Sequence, residues 1–248
     1  MAVRKQKGTV SIDAQNIMPV IKRWLYSDKD IFLREVVSNA CDAITKYRML
    51  HPGTEEDLKV FVTVDKENKT IRISDTGIGM TADEVKKYIN QVAFSGATEF
   101  MKQFEDSKEE DKGDIIGHFG LGFYSVFMVS ELVEIDSLSH EEGADPVHWT
   151  SEDGMSFEMS AGKRAEHGTD IILHISEEEK EFLEVYRVRE VLNRYCGYMS
   201  YPVMLEDANA KPVEKEVPVG DEKNEDGTPK TEKVILEVAN FESTGVRR

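Results

Sequence analysis

The sequence of 248 residues has no apolar run that approaches the length of a membrane-spanning helix. Its opening, Met1-Ala-Val-Arg-Lys-Gln-Lys-Gly8, lacks the apolar core of a secretory signal. Cysteine is nearly absent. Cys41 and Cys196 stand too far apart in sequence for a metal motif, and a reducing, cytoplasmic location is expected. Basic residues are few: 31 Lys and Arg face 48 Asp and Glu, a net charge of −17. Such a surface repels phosphate backbones and anionic bilayers, so neither nucleic acid nor membrane is an expected partner. A small phosphate ligand is not excluded, because backbone N–H groups and a metal ion can hold one. Of the seven prolines, Pro212, Pro218 and Pro229 fall within 206–233, a charged stretch without a core pattern that reads as a linker or long loop.

What remains is ordinary for a globular protein, 40% hydrophobic and 32% charged, and long enough for one sizeable core. Residues 28–50 organise it. Asp28 or Asp30 can cap a helix there, no Pro or Gly interrupts it, and Leu33, Val36, Val37, Ala40 and Ile44 recur at helical spacing. Glu35, Asn39 and Asp42 stand at i, i+4 and i+7, so a carboxylate, a carboxamide and a second carboxylate share one face. On an isolated helix these would be a wet polar edge. Downstream glycine motifs change that reading.

A strand is predicted over 8–14 and an amphipathic helix over 15–26. Residues 58–64 and 70–75 alternate as strands around a polar turn, and Thr81 with Glu84 forms a capping-box pattern. From 90 to 117 a Ser-Gly hinge, a short helix at 98–104 and a nearly all-charged run read as a mobile surface segment. An apolar helix then runs to Val129. Strands at 132–138, 146–151, 156–160 and 168–175 are expected as an antiparallel meander, followed by a helix over 177–198 and a last strand at 234–239. Grouped strands and helices point to an α+β two-layer sandwich, a largely antiparallel mixed sheet with helices on one face.

Asp75-Thr-Gly-Ile-Gly79 follows a strand directly. Its glycines permit close backbone approach and aim the Asp75 carboxylate beyond the strand end, where it can accept from an exocyclic amine such as adenine's. Taken alone, a plain Asp-Thr-Gly turn is the better explanation. Gly117-His-Phe-Gly120-Leu-Gly122 opens a helix and bares N–H groups at its positive end, a phosphate cradle. Its spacing is neither the dinucleotide fingerprint nor a P-loop. Gly168-Thr169-Asp170 places one hydroxyl at a strand start.

In this order the four motifs resemble those of the GHKL ATPases, which include gyrase B, MutL repair proteins, sensor histidine kinases and the ninety-kilodalton heat-shock chaperones. Residues 25–35, 38–43, 78–80 and 116–125 are near-copies of the chaperone segments, and the resemblance runs from about 9 to 202. It implies the Bergerat fold, an ATP/ADP site with magnesium, and residues 1–205 as the N-terminal ATPase domain with a lid over about 90–117. Residues 206–248 would connect to a following domain that supplies an arginine. By the same resemblance Glu35 orients and deprotonates the attacking water, Asn39 binds the metal, and Asp42 lies beside sugar and phosphates. Asp75 with Thr169 reads the base, Gly79 and Met80 line its pocket, and Gly117, Gly120, Gly122 and Phe123 wrap the phosphates. The implied partners are nucleotide, client proteins and a second copy of the full-length chain.

Three positions depart from the family pattern: Phe94 stands where a lid lysine is usual, Asn90 replaces a lid glycine, and Cys41 replaces a serine. The missing lysine bears on lid closure and rate rather than on binding. A nucleotide-gated module without turnover, or another GHKL member such as a MutL-like repair protein, are the alternatives.

Overall fold

A computed structural model describes residues 28–54, 57–90, 122–210, 213–223, 229–236 and 242–243. The strand and helix predicted before residue 27, most of the lid at 90–117, Phe94, Gly117 and Gly120 lie outside the described residues.

The organising helix α1 spans Ile31–Leu50, and its predicted stripe of Leu33, Val36, Val37, Ala40 and Ile44 is buried throughout. Its start differs from expectation. Asp30 occupies the N-cap position but makes no side-chain cap bond, because its carboxylate is drawn to Arg187. Asp28 Oδ1 instead accepts from the Asp30 N–H at 3.1 Å.

Among the described residues ten strands follow: β1 (Val60–Asp65), β2 (Thr70–Asp75), β3 (Ser130–Leu138), β4 (Val147–Ser151), β5 (Glu158–Ala161), β6 (Gly168–Ile175), β7 (Val203–Asp207), β8 (Val213–Lys223), β9 (Pro229–Leu236) and β10 (Glu242–Ser243). All but β8 and β9 form one eight-stranded sheet in the order β10-β7-β1-β2-β6-β3-β4-β5. Among the described residues only β1 and β7 pair in parallel. Alternation along the strands buries Val60, Val62, Val64, Ile71, Ile73, Val133, Ile135 and Leu173 on one face of the sheet, with α1 over β1 and β2, whereas the intervening residues, among them Arg72, Glu134, Asp136 and His174, are not buried. This is the predicted α+β layering, with helices on one face of a mixed, mostly antiparallel sheet.

The meander is corrected. β6 does not sit outside β5 but returns between β2 and β3, pairing antiparallel with both. The expected 177–198 helix is two pieces, a 3₁₀ turn at Glu177–Leu183 and α3 at Val185–Tyr195. Glu184 is extended between them (φ −91°, ψ 117°), which lets Phe182 and Leu183 both enter the core. Phe182 meets Phe32 of α1 edge-on at 5.1 Å. The apolar helix before Val129 is likewise 3₁₀, over Gly122–Met128. Within the stretch read as linker, β8 and β9 pair as an antiparallel hairpin. Backbone ladders need no apolar alternation to form, so the hydrophobic pattern did not reveal them. The short helix α2 (Ala82–Tyr88) carries the capping box as predicted, with Thr81 Oγ1 accepting from Glu84 N at 3.3 Å and Glu84 Oε2 from Thr81 N at 2.8 Å.

Candidate functional site

The return of β6 makes a row. Asp75 at the end of β2 stands opposite Thr169 of β6, and Thr169 stands opposite Ser137 of β3. Directly opposed residues point to the same face, here the helix-covered one, and all three are buried. Asp75 Oδ1 accepts from the Gly77 N–H at 2.8 Å. Burial is the largest influence on this carboxyl and pushes its pKa up to about 7; the N–H groups of Gly77 and Thr169 and the Arg164 charge oppose it only in part. A buried carboxylate with lone pairs to spare is a group shaped for a donor from outside the chain.

The turn after Asp75 is folded onto α1. A Cβ on Gly77 would lie 2.6 Å from the Ala43 carbonyl carbon, and the Ile78 N–H bonds Ala43 O at 3.2 Å. Gly79 is left-handed (φ +61°), and a side chain there would strike the Leu138 carbonyl. Met80 N–H donates to Ser137 Oγ at 2.9 Å. Behind the turn, His140 N–H bonds Ile78 O at 2.7 Å and His167 Nδ1 bonds Gly77 O at 2.8 Å. Arg164 reaches across, giving Nη2 to Asp75 O at 2.8 Å and Nη1 to Asp170 Oδ1 at 2.5 Å.

Two turns nearer the start of α1, Glu35 is partly buried and shares Oε1 with Arg34 Nη2 at 2.7 Å. Its Oε2 faces Gly122, where an added Cβ would overlap it. Glu35 and Ala43 are eight residues apart, ~12 Å of helix. Asn39 and the buried Asp42 lie between them on the same face. Phe123, just after Gly122, is buried against Trp149 with ring centroids 6.0 Å apart. Asn90, the lid-glycine replacement, accepts from Trp149 Nε1 at 2.9 Å. Cys41 is buried, and that burial pushes its thiol up to about 12, as suits an inert core sulfhydryl.

The structure thus brings Glu35, Asn39, Asp42, Asp75, Gly79, Met80, Gly122, Phe123 and Thr169 along one helix and the adjoining strand ends. Gly117 and Gly120 fall outside the described residues. Sequence reasoning missed Ser137, Arg164, His140 and His167, none of which belongs to a motif.

The residues fit a nucleotide and its metal. Asp75 could supply an acceptor to a base, and Gly122, lacking a Cβ, lets its backbone lie against the Glu35 carboxylate, where a side chain would collide. Among the described residues no group of three His, Cys, Asp or Glu could hold a metal by itself. Asn39 and Glu35 offer oxygen donors one helical turn apart, a sparse set that suits a magnesium ion completed by phosphates and water.

Residues 28–179 match the family described as histidine kinase-, DNA gyrase B- and HSP90-like ATPase. The chain is 47% identical over 204 residues to the chaperone protein HtpG of Porphyromonas gingivalis, covering 80% of this chain and 29% of that protein. It is 48% identical over 203 residues to the HtpG of Bacteroides fragilis, with the same 80% and 29% coverage. With the endoplasmin homolog of Dictyostelium discoideum it shares 35% over 238 residues, 92% of this chain and 30% of the relative. The chain therefore spans under a third of the length of these relatives.

Proposed function

The chain belongs to the histidine kinase-, DNA gyrase B- and HSP90-like ATPase family, and from that premise we propose that it is the ATP-binding and ATP-hydrolysing domain of an HtpG-type chaperone. The observation that carries the proposal is the placement of Asp75 and Thr169 at one end of an α1 face whose other end holds Glu35 against Gly122.

In this reading the Asp75 carboxylate accepts from the adenine amine, Thr169 adds a second polar contact, and Gly79 and Met80 border the base. Asp42 lies toward the sugar and first phosphates, and Asn39 holds magnesium. Gly122 and Phe123, with Gly117 and Gly120, give the phosphates a backbone lining. Glu35 orients the attacking water and takes its proton, and Arg34 keeps that carboxylate in place from the flank. Bound magnesium supplies neutralisation of phosphate charge. Phosphoryl transfer has a loose transition state, so positioning and charge are most of what the chain must provide.

The larger assembly is part of the proposal: residues 1–205 as the nucleotide domain with its lid at about 90–117, 206–248 as the connection onward, a homodimer that closes around client proteins, and a cytosolic location. No helix among the described residues is long and apolar enough to cross a membrane. A second reading, nucleotide gating without hydrolysis, draws on the Arg34 bond that occupies one Glu35 oxygen. One experiment separates them: phosphate release from Mg·ATP by wild type and Glu35→Ala, alongside ADP binding by calorimetry. Hydrolysis requires slow release by wild type, none by Glu35→Ala, and ADP binding by both. Equal release from the two proteins overturns it.

A further inference from the structure

Ser137 lies fully buried in β3, directly opposite Thr169, and no motif includes it. Its hydroxyl makes three contacts: Met80 N at 2.9 Å, Gly168 O at 3.1 Å and Thr169 Oγ1 at 2.8 Å. Two of these directions are fixed by chemistry. The Met80 N–H can only donate, and the Gly168 carbonyl can only accept. Ser137 has one proton, and Gly168 O takes it. The contact with Thr169 is then satisfied only if Thr169 donates, filling the second lone pair of Ser137.

That count settles the polarity of Thr169. Its single proton points to Ser137, so whatever else approaches its oxygen meets lone pairs alone. Beside it, the Asp75 carboxylate is also an acceptor.

We propose that Ser137 is a specificity-determining positioning residue, which turns Thr169 into an obligate acceptor and so selects 6-amino purines over 6-oxo purines. The proposal rests on the nucleotide reading above and names what in this chain enforces the choice of base. A 6-oxo purine brings an oxygen to a place where two acceptors already face, and at pH 8, with Asp75 ionised, none of the three side chains has a proton to give it. Buried polar groups left facing a like group penalise the wrong ligand much more than a missing contact would.

Removing the Ser137 hydroxyl frees the Thr169 proton. Thr169 can then rotate and donate to a 6-oxo group, so the base preference relaxes. A hydroxyl that merely caps the Met80 N–H would behave differently, because its loss would weaken all purine nucleotides by one common factor.

The test is calorimetric affinity of the chain for ADP and for inosine diphosphate, at pH 8 with magnesium, for wild type, Ser137→Ala, Ser137→Thr and Thr169→Val. Wild type should prefer ADP by at least ~100-fold. Ser137→Ala should narrow that ratio by about tenfold or more, and Ser137→Thr should restore it to within about threefold. Thr169→Val keeps the Ser137 hydroxyl but removes the group it orients; it should narrow the ratio as Ser137→Ala does, and it carries the test if Ser137→Ala does not fold. A ratio unchanged in the alanine or valine variants, while both ligands weaken together, overturns the role of Ser137 and leaves the nucleotide site standing. A wild type that binds neither nucleotide overturns the site and this assignment with it.

Discussion

Gly122 abuts the carboxylate of Glu35 so closely that a Cβ on the glycine would lie 3.2 Å from Glu35 Cδ and overlap Oε2. The two residues come from different motifs, one on α1 and one at the start of the 3₁₀ turn before β3. Their contact ties the base of the proposed reaction to the glycine segment that would receive the phosphates.

Gly122→Ala should therefore act through Glu35. The added methyl must push the carboxylate aside, and a misplaced general base forfeits part of a contribution of about 10²–10⁴ in rate. Phosphate release is expected to fall at least ~10-fold, while ADP affinity is retained as it is in Glu35→Ala. Loss of ADP binding in Gly122→Ala would show that Gly122 acts independently of Glu35.

Asp75 makes nucleotide affinity pH-dependent near neutrality. Its folded-state pKa is raised to about 7, and the ionised carboxylate is the stronger acceptor for an amine, with no proton of its own to oppose it. Affinity for ADP should be full above pH 7 and fall by up to ~10-fold per unit below it, as protons compete with the ligand. Calorimetry from pH 5.5 to pH 8.5 checks this (~0.5-unit steps suffice for a slope of this size). A flat profile would contradict it.

The same burial predicts a stability effect of opposite appeal. A carboxyl raised from 3.8 to about 7 costs the folded state stability at pH 8, and that cost disappears as pH falls through 7 toward 4. Asp75→Asn removes the charge but retains an oxygen for the Gly77 N–H. The ligand-free variant should melt higher than wild type at pH 8, with the gain vanishing near pH 4, while ADP binding is lost. Thermal denaturation at the two pH values reads both directions.

The parts of this architecture that were legible in the sequence are the local ones. The α1 stripe and the Thr81–Glu84 box depend on residues a turn apart, and both appear as expected. The motif order identified Asp75 and Thr169 as partners, but nothing in the spacing revealed that β6 returns between β2 and β3. That choice is made by pairing over long sequence separations, and it alone brings Ser137 into the row. Arg164 was invisible for a similar reason: its value lies in carbonyls that only the folded loop presents. The break at Glu184 was hidden because Val185, Val188, Val191 and Leu192 keep a helical period that extends back through Phe182.

Arg164 yields a prediction of its own. The guanidinium bonds the carbonyls of Asp75, Glu166 and His167 and pairs with Asp170. Arg164→Ala strands these acceptors and should cost about 2–4 kcal/mol in denaturant unfolding, with a weaker nucleotide affinity. Arg164→Lys should recover little, because an ammonium lacks the planar fork. Recovery to wild-type stability with lysine would argue that charge alone matters there.

The central claim is that the stretches of α1 around Glu35 and Ala43 serve one ligand, and amide chemical-shift mapping of the isotopically labelled chain with ADP and magnesium tests it most directly. The expected result is simultaneous, saturable perturbation of Gly77 and Gly79 at one end and Gly122 at the other, absent in Asp75→Asn. Perturbation confined to one end, or shifts that survive in Asp75→Asn, would contradict it.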